Sequence, residues 1–330
     1  MRAMVTKRHL GLFAIALGIG GDIALLIIGR LGGGAWTGIG PLESAMLIGG
    51  LLLSLLGIPL LRQANQPAAG PEPRSSSKSE PPWTWPDRIV AGIAMLAFIF
   101  YLAVFITYAI DLFRWPYDYD QGESFELYDA VLHSQGEWPY RDSSTYPFYA
   151  SNYPPVFHLL NVLLFPFLGK QLLSGRVLSF VITLLTSVVI GLTVHRRTGG
   201  LFVPAISALA YPASNFIYHL GPLCRQHLTM VFLEALCVYF IAASDDEAHR
   251  TRNIALGLTC LLLAGYAKQL AVFTSIAVFG YLFLRDPLSA IRWLVVFGLV
   301  FGGVFLAINW ATDGYWWINT IAANVNAYLV

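Results

Sequence analysis

The sequence predicts an all-α integral membrane protein that crosses a bilayer many times, and three observations carry this. Of 330 residues, 56% are hydrophobic and only 12% charged, against about 25% charged in an ordinary soluble domain. Mean hydropathy is +0.62. The apolar residues form continuous blocks, several near the roughly 20 residues that a helix needs to cross about 30 Å of hydrocarbon. They show neither the polar face of a soluble helix nor the alternation of a barrel strand. About nine or ten transmembrane helices are expected, plus one short interfacial or re-entrant helix.

Residues 1–61 read as an N-terminal transmembrane hairpin, 9–29 and 42–61, turned by the glycine-rich LGGGAWTGIGP. Arg2, Lys7 and Arg8 precede the first run. No small-residue cleavage site follows, so the run reads as a retained helix and not a signal peptide. Asp22 lies within it, either as an intramembrane relay or as a packing residue beside Gly20 and Gly21. Residues 62–88 contain QPAAGPEPRSSSKSEPP, a Pro/Ser-rich stretch that cannot bury a core and reads as a flexible cytoplasmic linker. A transmembrane module then occupies 89–330, with apolar runs at 89–110, 177–194, 201–218, 228–243, 253–283 and 293–311.

Basic residues in short loops favour the cytoplasmic side. Arg62, Arg74, Lys78 and Arg88 therefore place the linker inside and the loop 111–152 outside. Arg196, Arg197, Arg250, Arg252, Arg285 and Arg292 also fall inside if 253–283 folds as a tight hairpin. An odd number of crossings must then separate 152 from Arg196, although two apolar pieces lie there. The piece 153–168 is short, opens with Pro154-Pro155 and contains Pro166, so it is expected to be interfacial or re-entrant.

Net charge is +1 without clustered Lys and Arg, which excludes nucleic acid as a partner. Cys224, Cys237 and Cys260 have no CxxC spacing and lie in or beside apolar runs, where cysteine acts as a small hydrophobe. His158, His219 and His227 are dispersed without metal-ligand spacing. Chemistry concentrates in the outer loop. Between 111 and 152 stand Asp111, Asp118, Asp120, Glu123, Glu126, Asp129, Glu137 and Asp142, offset only by Arg114 and Arg141. Most of these acids would simply keep a loop wet. Asp118 and Asp120 differ, because RWPYDYDQGESF sets them directly after a membrane helix, where a partly desolvated carboxylate can act as a general base. The loop's many Tyr and Trp suit either an interfacial aromatic belt or a stacking platform for sugars.

The strings DYDQGESFELYDAVLHSQGEWPYRD, NYPPVFHLLNVLLFPFLG and GRVLSF resemble the GT-C superfamily of polytopic glycosyltransferases, which includes protein mannosyltransferases (glycosyltransferase 39-like) and aminoarabinose transferases. In that family an acidic motif opens the first outer loop, then come G-x-x-x-Y-x-D and Y-P-P. Here these are residues 118–122, Gly136 to Asp142, and Tyr153-Pro154-Pro155, and Lys268 in GYAKQL takes a family lysine position. The resemblance implies a GT-C-like fold and inverting transfer of a sugar from a polyprenyl-phosphate donor to an acceptor on the extracytoplasmic face of a cell membrane, with a bacterial plasma membrane expected. It implies Asp120 as base, with Asp118 beside it and Glu123 orienting the acceptor. Arg176, Lys268 and Arg225 are implied for the donor phosphate, and Gln121, Tyr140, Arg141, Asp142 and Tyr153 for substrate. Membrane lipid is the other expected partner.

Departures are informative. The family's paired acids are here Asp120-Gln121, so the second carboxylate is lost or taken over by Glu123, which leaves a divalent metal possible but in doubt and no cofactor certain. Arg225, Gln226 and His227 stand where the family often has an aspartate. Family chains continue into further helices and an outer domain past the point where this one reads NVNAYLV, which leaves open whether it is a fragment. Two other classes remain: a small-solute transporter, which would pair several charges at mid-membrane, and a non-catalytic lipid-binding or assembly protein. Neither would consume a polyprenyl-phosphate sugar.

Overall fold

The computed structural model describes residues 84–324, and the chain divides between Thr84 and Trp85. The expected hairpin 1–61, Asp22 and residues 62–83 of the linker lie outside the described residues. Among the described residues the fold is entirely helical. The helices are α1 (Trp85–Arg114), α2 (Glu123–Ser134), α3 (Val156–Val162), α4 (Phe165–Leu168), α5 (Leu172–Thr198) and α6 (Phe202–Ala213). They continue as α7 (Asn215–Leu220), α8 (His227–Ala243), α9 (Arg250–Gly265), α10 (Val272–Arg285), α11 (Pro287–Ala311) and α12 (Tyr315–Thr320).

Among the described residues three helices, α1, α5 and α11, are long and apolar enough to cross a membrane. Shorter apolar helices cover Phe202–Ala213, His227–Ala243 and Gln269–Arg285. Helix α1 begins at Trp85, so the last four residues assigned to the linker are helical. Pro86 and Asp87 suit a helix start, where the proline nitrogen needs no partner and an acid meets the positive end of the dipole. At its other end α1 runs on to Arg114, so Asp111 sits on the helix and pairs with Arg114 at 3.7 Å. The run 201–218 is broken at Ser214, whose hydroxyl accepts from the Ile217 amide and caps α7 just after Pro212. The run 253–283 breaks at Tyr266-Ala267-Lys268, as a hairpin requires. Segment 153–168 forms helices of 7 and 4 residues, roughly 10 and 6 Å long at 1.5 Å per residue, far too short to cross.

Helix α5 is the central element, packing against α1, α6 and α8 and against the short helices α2, α3 and α4. Its buried face carries Ser174, Gly175, Ser179, Thr183, Thr186, Ser187 and Gly191. Small residues let neighbouring backbones close in. Thr183 and Thr186 donate back to the carbonyls of Ser179 and Ile182, both at 2.8 Å, so burial leaves these hydroxyls satisfied. At Gly175 a Cβ would stand 2.1 Å from Cys224 Sγ, which fixes the approach of the segment before α8. Cys237, Ile241, Ile254, Leu258 and Leu261 form the α8–α9 core, and the three cysteines are free.

Candidate functional site

The acidic loop is pinned at its root by one buried ion pair. Glu123 opens α2, and Arg176 lies one turn into α5; both are fully buried. Arg176 Nε donates to Glu123 Oε1 at 2.8 Å and Nη2 donates to Oε2 at 2.6 Å, a two-pronged contact. Its remaining N–H groups go to the carbonyls of Leu112 (2.7 Å), Tyr117 (2.8 Å) and Trp115. Glu123 also accepts the backbone amides of Cys224 and Tyr119, each at 2.9 Å. This corrects two expectations. All five guanidinium N–H groups of Arg176 are used internally, so none is left for a donor phosphate. Glu123 is saturated in the same way, so it neither orients an acceptor nor replaces the missing second carboxylate.

Asp120 stands just outside this root. Its Oδ2 takes Arg225 Nη2 at 2.6 Å and Nε at 3.1 Å, across 105 residues of sequence. The hydrogen bond from Arg225 holds the Asp120 carboxyl below the usual carboxylate range, against the opposing effect of burial. The guanidinium lies over Gly122, where a Cβ would fall 1.9 Å from Nη1. Glycine at 122 is thus what lets Arg225 reach Asp120.

Beside this pair, Lys268 Nζ contacts His227 Nε2 and lies 5.1 Å above the centre of the Tyr153 ring. Lys268 sits in the break between α9 and α10, and burial lowers its pKa to about 8. The break is tied to the Y-P-P segment by the Val156 amide, which donates to the Tyr266 carbonyl at 3.0 Å. Asp120, Arg225, His227, Lys268 and Tyr153 therefore converge from four segments. An ordered rim with one carboxylate and two permanent or near-permanent cations can bind an anion and hold a base next to it.

The other expected substrate residues lie elsewhere or serve the scaffold. Tyr140 is buried, donates to the Tyr153 carbonyl at 2.9 Å and packs against Trp316, so it supports Tyr153 from behind. Gly136 takes φ +79° and ends α2: its amide bonds the His133 carbonyl, and that of Glu137 bonds Leu132, a left-handed helix cap that favours glycine. Asp142 closes a local turn, its Oδ1 accepting the Ser144 amide at 2.9 Å. Arg141 donates to Trp138 O at 3.4 Å and pairs loosely with Glu137 at 3.7 Å. The G-x-x-x-Y-x-D string is thus a helix stop, a core ring and a turn. Gln121 and Asp118 are exposed, and Asp118 accepts from the Ser124 hydroxyl.

A second polar cluster, which the loop's charge count conceals, lies inside. Glu126 and Asp129 share the buried face of α2 with Glu123, at helical spacing i, i+3, i+6. His158 Nε2 is 2.7 Å from Glu126 Oε2 and 3.7 Å from Asp129 Oδ2, all three fully buried or nearly so. Asp129 also accepts from Tyr149 OH at 2.7 Å and from the Ser151 hydroxyl. Burial raises the Asp129 carboxyl. Burial opposes the His158 cation, but the hydrogen bond and charge of Glu126 outweigh it and raise the His158 pKa. Comparison with protein-family models, curated proteins and solved structures returns no match.

Proposed function

We propose that this chain is a multi-pass membrane glycosyltransferase of the GT-C type. It moves a sugar from a polyprenyl-phosphate donor to an acceptor on the extracytoplasmic face with inversion. The observation that carries the reading is the convergence of Asp120 with Arg225, His227 and Lys268, drawn together from segments over a hundred residues apart. The acceptor O–H or N–H attacks the anomeric carbon as the bond from that carbon to the phosphate oxygen breaks. The acceptor proton passes to Asp120. The phosphate leaves with the bonding electrons and is neutralised by Arg225 and Lys268. Asp120 is a poor base while Arg225 holds it. A donor phosphate that takes over the guanidinium would weaken that hold and strengthen the base, so donor binding should precede acceptor activation.

Membranes carrying the protein should consume a labelled polyprenyl-phosphate sugar. Asp120→Asn keeps size and hydrogen bonding yet removes the base, so transfer should fall about 100- to 10,000-fold with donor binding retained. Wild-type transfer from both Asp120→Asn and Asp118→Asn would end this reading. A proton-coupled transporter is the second reading, favoured by the buried Glu126–His158–Asp129 cluster beside broken helices. It predicts solute flux in proteoliposomes and no donor consumption.

A further inference from the structure

Away from the rim, helices α8 and α10 diverge around a cleft of about 560 Å³, within the range of ligand cavities. Its walls are Val238, Ile241 and Ala242 on one side and Phe273, Ala277 and Val278 on the other. Phe273 is 69% exposed and Val238 47%, so the slot is open to the protein surface, and its walls are apolar except for Thr274, which hydrogen-bonds Glu234. From Phe273 to Tyr281 it runs roughly 12 Å along α10 at 1.5 Å per residue. A flat patch would suit any lipid contact, but a slot of this shape suits one chain.

The end of the slot is cationic. Arg197 lines it and reaches Asp245 at 2.9 Å, its side chain still 60% exposed. Arg285 bonds the same carboxylate, donates to Tyr281 OH at 3.0 Å and lies over that ring. Two guanidiniums thus share one acid. Arg196 stands nearby over Tyr239, 5.4 Å from the ring centre. Further out, Asp246 bonds His249 at 2.8 Å, and Arg250 faces both Glu247 at 3.4 Å and Asp286 at 4.0 Å. At the mouth itself Arg197 and Arg285 share the single carboxylate of Asp245, and Arg197 keeps exposed N–H groups beside a channel for hydrocarbon.

We propose that this cleft is a binding site for an anionic phospholipid, with one acyl chain between α8 and α10 and the headgroup phosphate on Arg197, Arg285 and Arg196. The inference rests on the membrane-spanning part of the reading above and not on its chemistry. The headgroup end of the slot is remote from the rim, since Ala242 lies 15 residues along α8 from His227, about 22 Å, whereas the opposite end, at Phe273, comes within five residues of Lys268.

The test uses the full chain, delipidated in detergent and returned to bilayer discs of phosphatidylcholine with or without phosphatidylglycerol. Phosphatidylglycerol should raise the melting temperature by roughly 5–10 °C at saturation, and native mass spectrometry should find one retained per chain. Arg196→Gln combined with Arg197→Gln leaves the apolar walls of the slot unchanged and should weaken retention about 10- to 100-fold. Ala242→Trp fills the slot and should abolish retention while the melt in phosphatidylcholine alone stays as in the wild type; Val238→Trp, at the exposed edge, serves if that variant does not fold. Both tryptophan variants should keep wild-type donor consumption, so failure of this site is distinguishable from failure of the transfer reading. Equal retention of both lipids, or retention indifferent to the arginine and tryptophan changes, would overturn the proposal. So would full stabilisation by inorganic phosphate alone, which would mean an anion site without a chain slot.

Discussion

Replacing Arg176 with Met should unfold the protein before it impairs donor recognition. The side chain is fully buried and supplies five hydrogen bonds, two of them to Glu123. Methionine fills a similar volume, yet it strands the Glu123 carboxylate in the interior with only two backbone amides, those of Tyr119 and Cys224. Removing one partner of a buried pair costs about 3–5 kcal/mol, because the remaining charge is uncompensated. For a unit of roughly 240 residues each kcal/mol moves the melting temperature by about 2–4 °C, so a loss near 10 °C is expected. Adding Glu123→Gln removes the stranded charge and should recover part of it, giving a favourable coupling term between the two sites. The assay is a thermal melt of the four variants of the cycle in one detergent. A single-variant loss below about 2 °C, or a double variant worse than the sum of the singles, would refute the argument that this pair pins the loop.

Three further outcomes are expected. Lys268 holds its proton only up to about pH 8, so donor affinity should decline above that pH, and Lys268→Arg should keep affinity constant to higher pH. The sign for stability is opposite: between about 8 and the ordinary lysine value near 10.4 the unfolded chain binds a proton that the folded chain lacks, so stability should rise with pH there. Gly122→Ala puts a Cβ 1.9 Å from Arg225 Nη1 and drives the guanidinium off Asp120. Donor affinity should fall about 10- to 100-fold with little change in melting, and unchanged affinity would show that Arg225 does not meet the donor. In a cysteine-free background an impermeant outside reagent should label Ser143→Cys and spare Ser76→Cys, and the reverse pattern would invert the topology.

The long helices were legible because α1, α5 and α11 are continuous apolar runs, for which composition and length suffice. The break at Ser214 was not, because hydropathy averages over a cap that depends on one hydroxyl and the proline before it. Asp120, Arg225, Lys268 and Tyr153 were singled out from motif order, yet their mutual contacts span 105 residues or close in space only through helix breaks, which no local pattern encodes. Arg176 and Glu123 were read as ligand groups because both are charged beside the right motif. Burial, which a single sequence does not state for such residues, makes them partners instead. Glu126 and Asp129 carried a readable signal in their i, i+3, i+6 spacing with Glu123, but counting the acids of a loop hid the helix within it. Their partner His158 lies 32 residues from Glu126.

The Arg176 contacts to Leu112, Trp115 and Tyr117 divide the outer loop into parts with different tolerances. Its root is clamped to the end of α1 and the start of α2, so Asp120 is carried on a fixed mount. The far side, where Trp138, Tyr146 and Phe148 are exposed at 40%, 87% and 69%, is held mainly by Tyr140, Tyr149 and Ser151. Residues 143–148 can therefore be exchanged for other sequences without shifting the carboxylate. A library varied only there would alter the surface presented beside Asp120 while leaving its mount intact, so under the proposed transfer this crown is the natural place to change the choice of acceptor.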